Sequence, residues 1–335
     1  MRRIPVIVLI LGLLAACSAG PGASPTVTLP PAATAAPPIP TPAPASPTVV
    51  PVTVTPAPTL TLQPTATLPP SPTPDTRLKA QDWQAWPVVP GLSEKMKALY
   101  QEGLQQGNNP RAFSKIGDCQ NITSHFLGFF DQPGMYNLGP TYASLQAVID
   151  QFKGSFGRDS AAVRAGFNVA AVLSPLQADP KVCQAGETPL ACELRLHKPG
   201  IAFISMETWW AKKPAEEYAR YMRQIIEAVL AQKAVPILAT KADNLEGDHS
   251  VNAAIAQLAY EYDIPLWNFW LAVQPLPYHG LNDDGFHLTN DLSTPDDPLL
   301  YRRLSDPLAA KVAWPVRNIT ALQALEAVWT AANSR

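Results

Sequence analysis

Three side chains in two distant segments have the types and spacing of an acyl-transfer site. Cys119 follows a Gly-Asp pair in "FSKIGDCQN", and Asp284 and His287 stand three residues apart in "LNDDGFHLTN". A thiol becomes a strong nucleophile when a histidine accepts its proton, and a carboxylate can hold that histidine through its other ring nitrogen. The spacing of Asp284 and His287 allows this hydrogen bond and leaves Nε2 facing a nucleophile.

The role of Cys119 depends on how the other cysteines are used. Cys183 and Cys192 flank the loop-like stretch "QAGETPLA", whose ends meet if the chain turns back, so we predict a disulfide between them. Cys17 directly follows a predicted export signal and is set apart by it, which leaves Cys119 as the odd thiol. It is either a nucleophile or a small buried residue in a site without chemistry, because cysteines outside disulfides are among the most buried residue types.

Alternating apolar runs and helical patterns predict the elements that would position these side chains. The run "PAEEYARYMRQIIEAVLAQK" has a single apolar face and predicts a helix, and Asp248 or Ser250 is expected to cap the next one. Strands that alternate with helices predict an α/β fold, a three-layer αβα sandwich with a mostly parallel sheet. Ligands of such sheets bind at the carboxyl ends of the strands, where Cys119 falls. Four apolar runs predict the strands: 111–118, 200–206, 234–240 and 264–270.

With this order of elements, the chain resembles the GDSL/SGNH hydrolases, a family of esterases with a flavodoxin-like fold. "IGDC" is similar to the family's first block, with Cys119 in the serine position, and "DDGFHLT" is similar to the last block, whose Asp-x-x-His pair holds Asp284 and His287. "RAGFN" is similar to the block whose glycine donates to the oxyanion hole. The resemblance covers about residues 112–289. It implies hydrolysis of acyl esters of extracellular carbohydrate or lipid without a cofactor, with the N–H groups of Cys119 and Gly166 binding the oxyanion.

The chain also departs from that family's pattern. A cysteine replaces the serine, and "METWW" stands where the family shows Gly-x-Asn-Asp, so Glu207 takes the glycine position and Trp209 the asparagine position. The loss of one oxyanion donor costs about 10²–10³ in rate. The indole N–H of Trp209 is a candidate substitute, whereas an ionised Glu207 facing the site would repel the oxyanion. These departures favour an alternative: a catalytically impaired protein that binds an extracellular ligand such as a glycan.

Other polar and aromatic residues have simpler explanations. Asp118 is expected to shape its turn by hydrogen bonds to the backbone, and Asp283 is an alternative partner for the imidazole. The pair Trp209-Trp210 fits either the core or a platform that stacks sugar rings. The remaining histidines have no ligand spacing among themselves or with cysteines, so the sequence predicts no metal site.

The N-terminus indicates export. Residues 1–16 combine a positive start, a short apolar run and the small residues before Cys17, a pattern that resembles the lipobox of bacterial lipoproteins. The resemblance implies cleavage before Cys17 and a lipid on its sulfur, which would anchor the chain on the outer side of the cytoplasmic membrane or at the cell surface. An ordinary secretory signal is the alternative. Both predict a compartment in which disulfides form.

Residues 17–76 are almost entirely Pro, Thr, Ala, Ser and Val, which predicts a disordered linker. Residues 77–335 are then predicted to form one domain, which the resemblance makes SGNH hydrolase-like. The 25 lysines and arginines nearly balance the 27 aspartates and glutamates, and no basic stripe is present, which argues against nucleic acid as a partner. Two N-x-[ST] sequons, at Asn121 and Asn318, carry little weight in a bacterial lipoprotein.

Overall fold

The computed structural model describes residues 75–209, 213–290, 304 and 311–334. The predicted signal peptide, Cys17, Trp210 and nearly all of the predicted linker lie outside the described residues. The chain divides into two units, Met1–Asp75 and Thr76–Arg335, so the second unit begins one residue before the predicted domain boundary. No helix within the described ranges has the length and apolar character needed to cross a bilayer.

Four parallel strands form the sheet, in the same order as in the chain. They are β1 (Asn109–Gly117), β2 (Pro199–Ser205), β3 (Val235–Ala239) and β4 (Leu266–Trp267). On the outer side of β1, Gly117 also pairs with Val163 in a single parallel bridge. Every residue of β2 and β3 is buried, as expected for a parallel sheet with helices on its faces.

Two groups of helices cover this sheet. The seven helices of the described residues are α1 (Glu94–Gln105), α2 (Gln146–Gln151), α3 (Pro189–His197), α4 (Ala215–Ala231), α5 (Ser250–Tyr262), α6 (Phe269–Val273) and α7 (Ala313–Asn333). From β1 to β4, each strand lies on the same side of the one before it. Because such parallel crossovers share one hand, the connecting helices α3, α4 and α5 lie on one face of the sheet. The helices before β1 and after β4, α1 and α7, pack against each other and also contact the sheet. The result is an α/β fold that is compatible with a three-layer αβα sandwich.

Three of the four predicted strands match β1, β2 and β3 closely. The prediction for 264–270 was wrong in its second half, because β4 ends at Trp267 and a helix begins at Phe269. Asn268 causes the change: its Oδ1 accepts a hydrogen bond from the N–H of Leu271, and its Nδ2 donates to the carbonyl of Trp83. An apolar run does not distinguish a buried strand from a buried helix, and the asparagine cap decides here.

The predicted helix over 214–233 is confirmed as α4. Its start follows Pro214, and five residues of one face are fully buried: Tyr218, Met222, Ile225, Ile226 and Val229. The start of α5 differs in detail from the prediction, because His249 occupies the N-cap position in a left-handed conformation. Asp248 still contributes, since its carboxylate accepts a hydrogen bond from the N–H of Ser250.

Candidate functional site

The Asp284–His287 pair lies in a tight hairpin. Leu281 and Leu288 form an antiparallel bridge, and Asn282 donates its N–H to the carbonyl of His287 at 2.8 Å. Within this hairpin, Asp284 Oδ2 lies 2.5 Å from His287 Nδ1. The pairing leaves Nε2 as the ring nitrogen for proton exchange with a neighbour. We call residues 281–289 the histidine hairpin.

Several donors converge on the carboxylate of Asp284. Its Oδ1 accepts hydrogen bonds from the N–H groups of Phe286 at 3.0 Å and His287 at 2.9 Å. Partial burial acts to raise the pKa of Asp284, but the hydrogen bond from the imidazole and these two N–H groups outweigh it and lower the pKa. The carboxylate is therefore held ionised beside the ring. Asp284, not Asp283, makes the hydrogen bond to the imidazole.

Cys119 begins a single 3₁₀ turn, Cys119–Asn121, two residues after the end of β1. No long helix begins at this turn, so the positive end of such a helix does not act on the thiol. The thiol is half-buried and takes no part in a disulfide. Asp118 caps the turn by accepting a hydrogen bond from the N–H of Gln120 at 3.1 Å, as its expected role in the turn requires. We call residues 118–121 the cysteine turn.

The cysteine turn and the histidine hairpin are in contact. Gln120 Nε2 donates a hydrogen bond to the carbonyl of Phe286 at 3.2 Å. Gln120 directly follows Cys119, and Phe286 directly precedes His287. The fold therefore brings the two segments together although 166 positions separate these two residues. The Phe286 ring also packs edge-on against the His287 ring, with 5.0 Å between their centres.

The segment that carries Gly166 begins beside the same strand end. Val163 pairs with Gly117, and the N–H of Gly117 donates to the carbonyl of Ala162 at 3.0 Å. Gly166 itself is exposed and has a φ of +81°, a left-handed conformation that favours glycine. An alanine Cβ at this position would meet nothing within 4 Å, so the conformation and not a close contact favours glycine here.

The "METWW" segment is tied to the cysteine turn through Asp118. Asp118 Oδ2 accepts hydrogen bonds from the N–H groups of both Glu207 and Thr208, each at 2.6 Å. Asp118 is fully buried, so these charge-assisted hydrogen bonds form away from water. They fix the chain after β2 against the chain after β1.

Glu207 faces a buried cation. Its Oε1 lies 2.7 Å from Nη2 of Arg317, a residue of α7, and accepts a hydrogen bond from the hydroxyl of Ser205 at 3.0 Å. Burial raises the pKa of Glu207 to about 7, with Asp118 adding to the increase and Arg317 opposing it. The rings of Phe126, Trp267 and Phe269 surround the Arg317 guanidinium, and their centres lie 4.7–5.3 Å from its central carbon. The Glu207 carboxylate is therefore paired with the buried Arg317 guanidinium.

Trp209 is buried, with only 5% of its surface exposed. Its ring packs edge-on against Tyr218 in α4, and the ammonium of Lys213 lies 5.3 Å from the ring centre. This burial suits the core role, and the described ring presents little surface for stacking a sugar. The indole Nε1 is buried and has no hydrogen-bond partner among the described residues.

The predicted disulfide between Cys183 and Cys192 is confirmed, with 5.3 Å between the Cα atoms. These two cysteines and Glu187 form the one group of potential metal ligands within the described ranges. Because both sulfurs are in the disulfide, and Glu187 is ion-paired with Arg195, this group does not offer a ligand set for a metal ion.

The roles of two residues at this site, Gln120 and Arg317, were not predicted from the sequence. Gln120 was passed over because an uncharged amide after a cysteine carries no chemical signal, and Arg317 lies in a helix with no motif around it. An arginine inside a largely apolar helical segment is a weak signal for a buried carboxylate partner, but nothing in the sequence identifies Glu207 as that partner.

No protein-family model matches the chain, and no curated protein matches it in sequence.

Proposed function

We propose that the protein is a surface-tethered hydrolase of the GDSL/SGNH type that cleaves acyl esters through Cys119, His287 and Asp284. The observation that carries the proposal is the contact between the cysteine turn and the histidine hairpin, with Gln120 bonded to Phe286. A nucleophile and its base must lie within hydrogen-bonding reach in the reacting complex. Here a hydrogen bond joins the residue that follows Cys119 to the residue that precedes His287, which supports such a pair.

The reaction follows from the chemistry of these groups. The Cys119 sulfur attacks the acyl carbonyl carbon while His287 Nε2 takes the thiol proton, and the C–O bond then breaks as the alcohol leaves with that proton. Water attacks the resulting thioester, giving a proton to His287, and the carboxylic acid departs as the thiol regains its proton. Asp284 stabilises the imidazolium in both steps. The N–H groups of Cys119 and Gly166 would bind the oxyanion.

The sheet supports the same family assignment. A parallel sheet in which the segment after β1 returns to the outer side of β1 has the strand order of flavodoxin-like folds, with the edge strand reduced to one bridge. The proposed site then lies at the carboxyl ends of β1 and β2. We further propose that the lipid on Cys17 holds the domain outside the cytoplasm, where an ester of extracellular carbohydrate or lipid would be its substrate.

One observation favours a second candidate function, a binding protein without turnover. Trp209 stands at the position of the family's asparagine donor and is buried against Tyr218. If its indole does not reach the oxyanion, the site has lost one donor, and a loss of about 10²–10³ in rate follows. The proposed site would then bind a glycan without cleaving it.

The test is turnover of short-chain acyl esters by the purified full chain. We expect saturable hydrolysis that Cys119→Ala and His287→Ala each abolish while the melting temperature changes little. Alkylation of Cys119 as a function of pH should give a thiol pKa below the ordinary value of about 8.5. No hydrolysis, together with a thiol that resists alkylation in the folded protein, would contradict the enzyme and favour the binding protein.

A further inference from the structure

Gln120 links two segments that are each held from a different side. The cysteine turn is held against the sheet, because Asn121 Nδ2 donates to the Ser205 carbonyl at 2.8 Å. The histidine hairpin is held by its internal hydrogen bonds and, at its end, by the N–H of Ala313, which donates to the Thr289 hydroxyl at 3.0 Å. Next to Cys119 and His287, the Gln120 hydrogen bond joins the two segments.

The Gln120 side chain is suited to set the separation of the two segments. Only 2% of it is exposed, so water does not compete effectively for its hydrogen bond to the Phe286 carbonyl. The accepting carbonyl belongs to the residue immediately before His287, and the Phe286 ring contacts the imidazole. A displacement of this carbonyl would move His287 with it.

We propose that Gln120 is a positioning residue, which sets the distance between the Cys119 thiol and the His287 imidazole by holding the histidine hairpin against the cysteine turn. This inference rests on the proposed acyl-transfer function. It assigns separate tasks to two residues: Asp284 orients the ring within the hairpin, and Gln120 locates the hairpin relative to the nucleophile.

The expected effect is on the chemical step. A displacement of about 1 Å between reacting groups can cost up to about 10²-fold in rate. Gln120 lies in the interior and contacts the protein backbone, so its loss should lower kcat and leave KM nearly unchanged. The reactivity of the thiol should change as well, because a thiolate that loses its neighbouring imidazolium is less stabilised.

Two variants and one control test the proposal in the full chain. Gln120→Met keeps the length of the side chain but removes both its donor and its acceptor, and Gln120→Glu keeps the shape while its carboxylate cannot donate to the Phe286 carbonyl. Gln101→Met is the control: Gln101, although exposed, also donates through Nε2 to a distant backbone carbonyl, that of Ala332 at 2.9 Å, and so joins α1 to α7 instead of the two segments of the site. The measurements are the pH profile of Cys119 alkylation, and kcat and KM on a short-chain ester.

We expect both Gln120 variants to lower kcat by about 10- to 100-fold with KM within about twofold of the wild type. Their alkylation profiles should shift toward that of His287→Ala, and Gln101→Met should leave all three quantities unchanged. Because alkylation needs no turnover, it reports on the pairing even in a poor catalyst. If one Gln120 variant does not fold, the other provides the test.

The outcomes separate this inference from the proposed function. If His287→Ala leaves the alkylation profile of Cys119 unchanged, the thiol and imidazole are not paired, and both proposals fail. If His287→Ala shifts the profile but the folded Gln120 variants keep the wild-type profile and kcat, losing only thermal stability, Gln120 has a structural role and this inference alone is overturned.

Discussion

The carboxylate of Asp118 accepts a 2.6 Å hydrogen bond from the N–H of Glu207, and its second 2.6 Å bond comes from the next residue. One buried side chain therefore joins the loops after β1 and β2, the two loops around the proposed nucleophile. The relationship links the stability of the sheet's carboxyl edge to the geometry of the site.

Asp118→Asn should destabilise the protein by about 2–3 kcal/mol. Both carboxylate oxygens of Asp118 accept from buried N–H groups, so whichever way the asparagine amide is turned, its NH₂ group faces an N–H donor that then lacks an acceptor. Urea unfolding measures the loss. Asp131→Asn is the matched control: its carboxylate also accepts from two N–H groups, of Gly154 and Gly157, but it is partly exposed and holds the chain after α2, not the loops after β1 and β2. The control should cost less stability and leave ester hydrolysis unchanged. Equal losses in the two variants would contradict this account.

The two adjacent aspartates of the histidine hairpin provide an internal comparison. Asp284→Asn should reduce kcat by about 10²–10⁴-fold, because the imidazole loses the carboxylate that sets its tautomer and stabilises its charge. Asp283→Asn should change kcat by less than about twofold. The measurement is kcat on one short-chain ester for both variants. Their melting temperatures are compared with that of the wild type to show that each variant is folded. A large loss in Asp283→Asn would reverse the assignment.

Glu207 should make the stability of the protein depend on pH below neutrality. Burial raises its pKa from 4.5 to about 7, so between these values the folded protein binds a proton that the unfolded chain has released. Stability therefore falls as the pH rises from about 4.5 to 7, by about 3 kcal/mol from this group.

Glu207→Gln, which cannot ionise, should remove that decline. The measurement is the free energy of unfolding in urea at several pH values between 4.5 and 7.5, for both proteins. The buried carboxyl of Asp243, whose pKa burial also raises, contributes a slope of the same sign to both, so the difference between the two curves isolates Glu207. Parallel curves would show that the Glu207 pKa is not raised.

Lys115 should have an opposite effect in alkaline solution. Its ammonium is buried in β1 between the Phe156 carbonyl and Thr123, and burial, with Arg158 adding to the effect, lowers its pKa from 10.5 to about 8. The folded protein then releases a proton that the unfolded chain keeps, so stability rises with pH between about 8 and 10.5.

Lys115→Met should abolish this rise, which amounts to about 3 kcal/mol, while lowering stability at pH 8 through the lost hydrogen bonds. Denaturant titrations at pH 8, 9 and 10 check the prediction. A rise that persists unchanged in the variant would assign it to another group.

Gly117 is the last residue of β1, and a side chain there would collide with Asn121. An alanine Cβ would lie 2.1 Å from Asn121 Nδ2, which is held by the Ser205 carbonyl and cannot withdraw easily. Gly117→Ala should therefore cost about 1–3 kcal/mol through overpacking and disturb the cysteine turn. Gly91→Ala is the control, because its Cβ would meet nothing within 4 Å. The measurement is the melting temperature of each variant, and we expect that of Gly117→Ala to be clearly lower. Equal melting temperatures in Gly117→Ala and Gly91→Ala would contradict the predicted collision.

The sequence predicted those elements whose pattern is unambiguous. The amphipathic face of α4 and the apolar runs of β1 to β3 are local signals, and the Cys183–Cys192 disulfide followed from counting cysteines. Residues 264–270 were ambiguous because burial removes the periodicity that distinguishes a strand from a helix, and the cap at Asn268 outweighed strand propensity.

The candidate site was predictable only in part. Asp284 and His287 are close in the chain, so their pairing could be predicted from spacing. The partnership of Glu207 with Arg317 joins residues that are far apart in the chain, and no local pattern encodes it. From the sequence, Glu207 was expected to repel an oxyanion only if its ionised carboxylate faced the site, and nothing in the chain around it showed that the carboxylate pairs with a buried guanidinium.

Both sequons begin with asparagines that have no exposed surface. Asn121 Nδ2 donates to the Ser205 carbonyl, and Asn318 Nδ2 donates to the carbonyls of His125 and Trp314 at 3.0 Å. A eukaryotic expression host that attaches glycans to the nascent chain would place a bulky polar group at two positions that the folded protein keeps inside. Recombinant production therefore calls for a bacterial host, and material secreted from yeast or insect cells should be misfolded in proportion to its glycan occupancy.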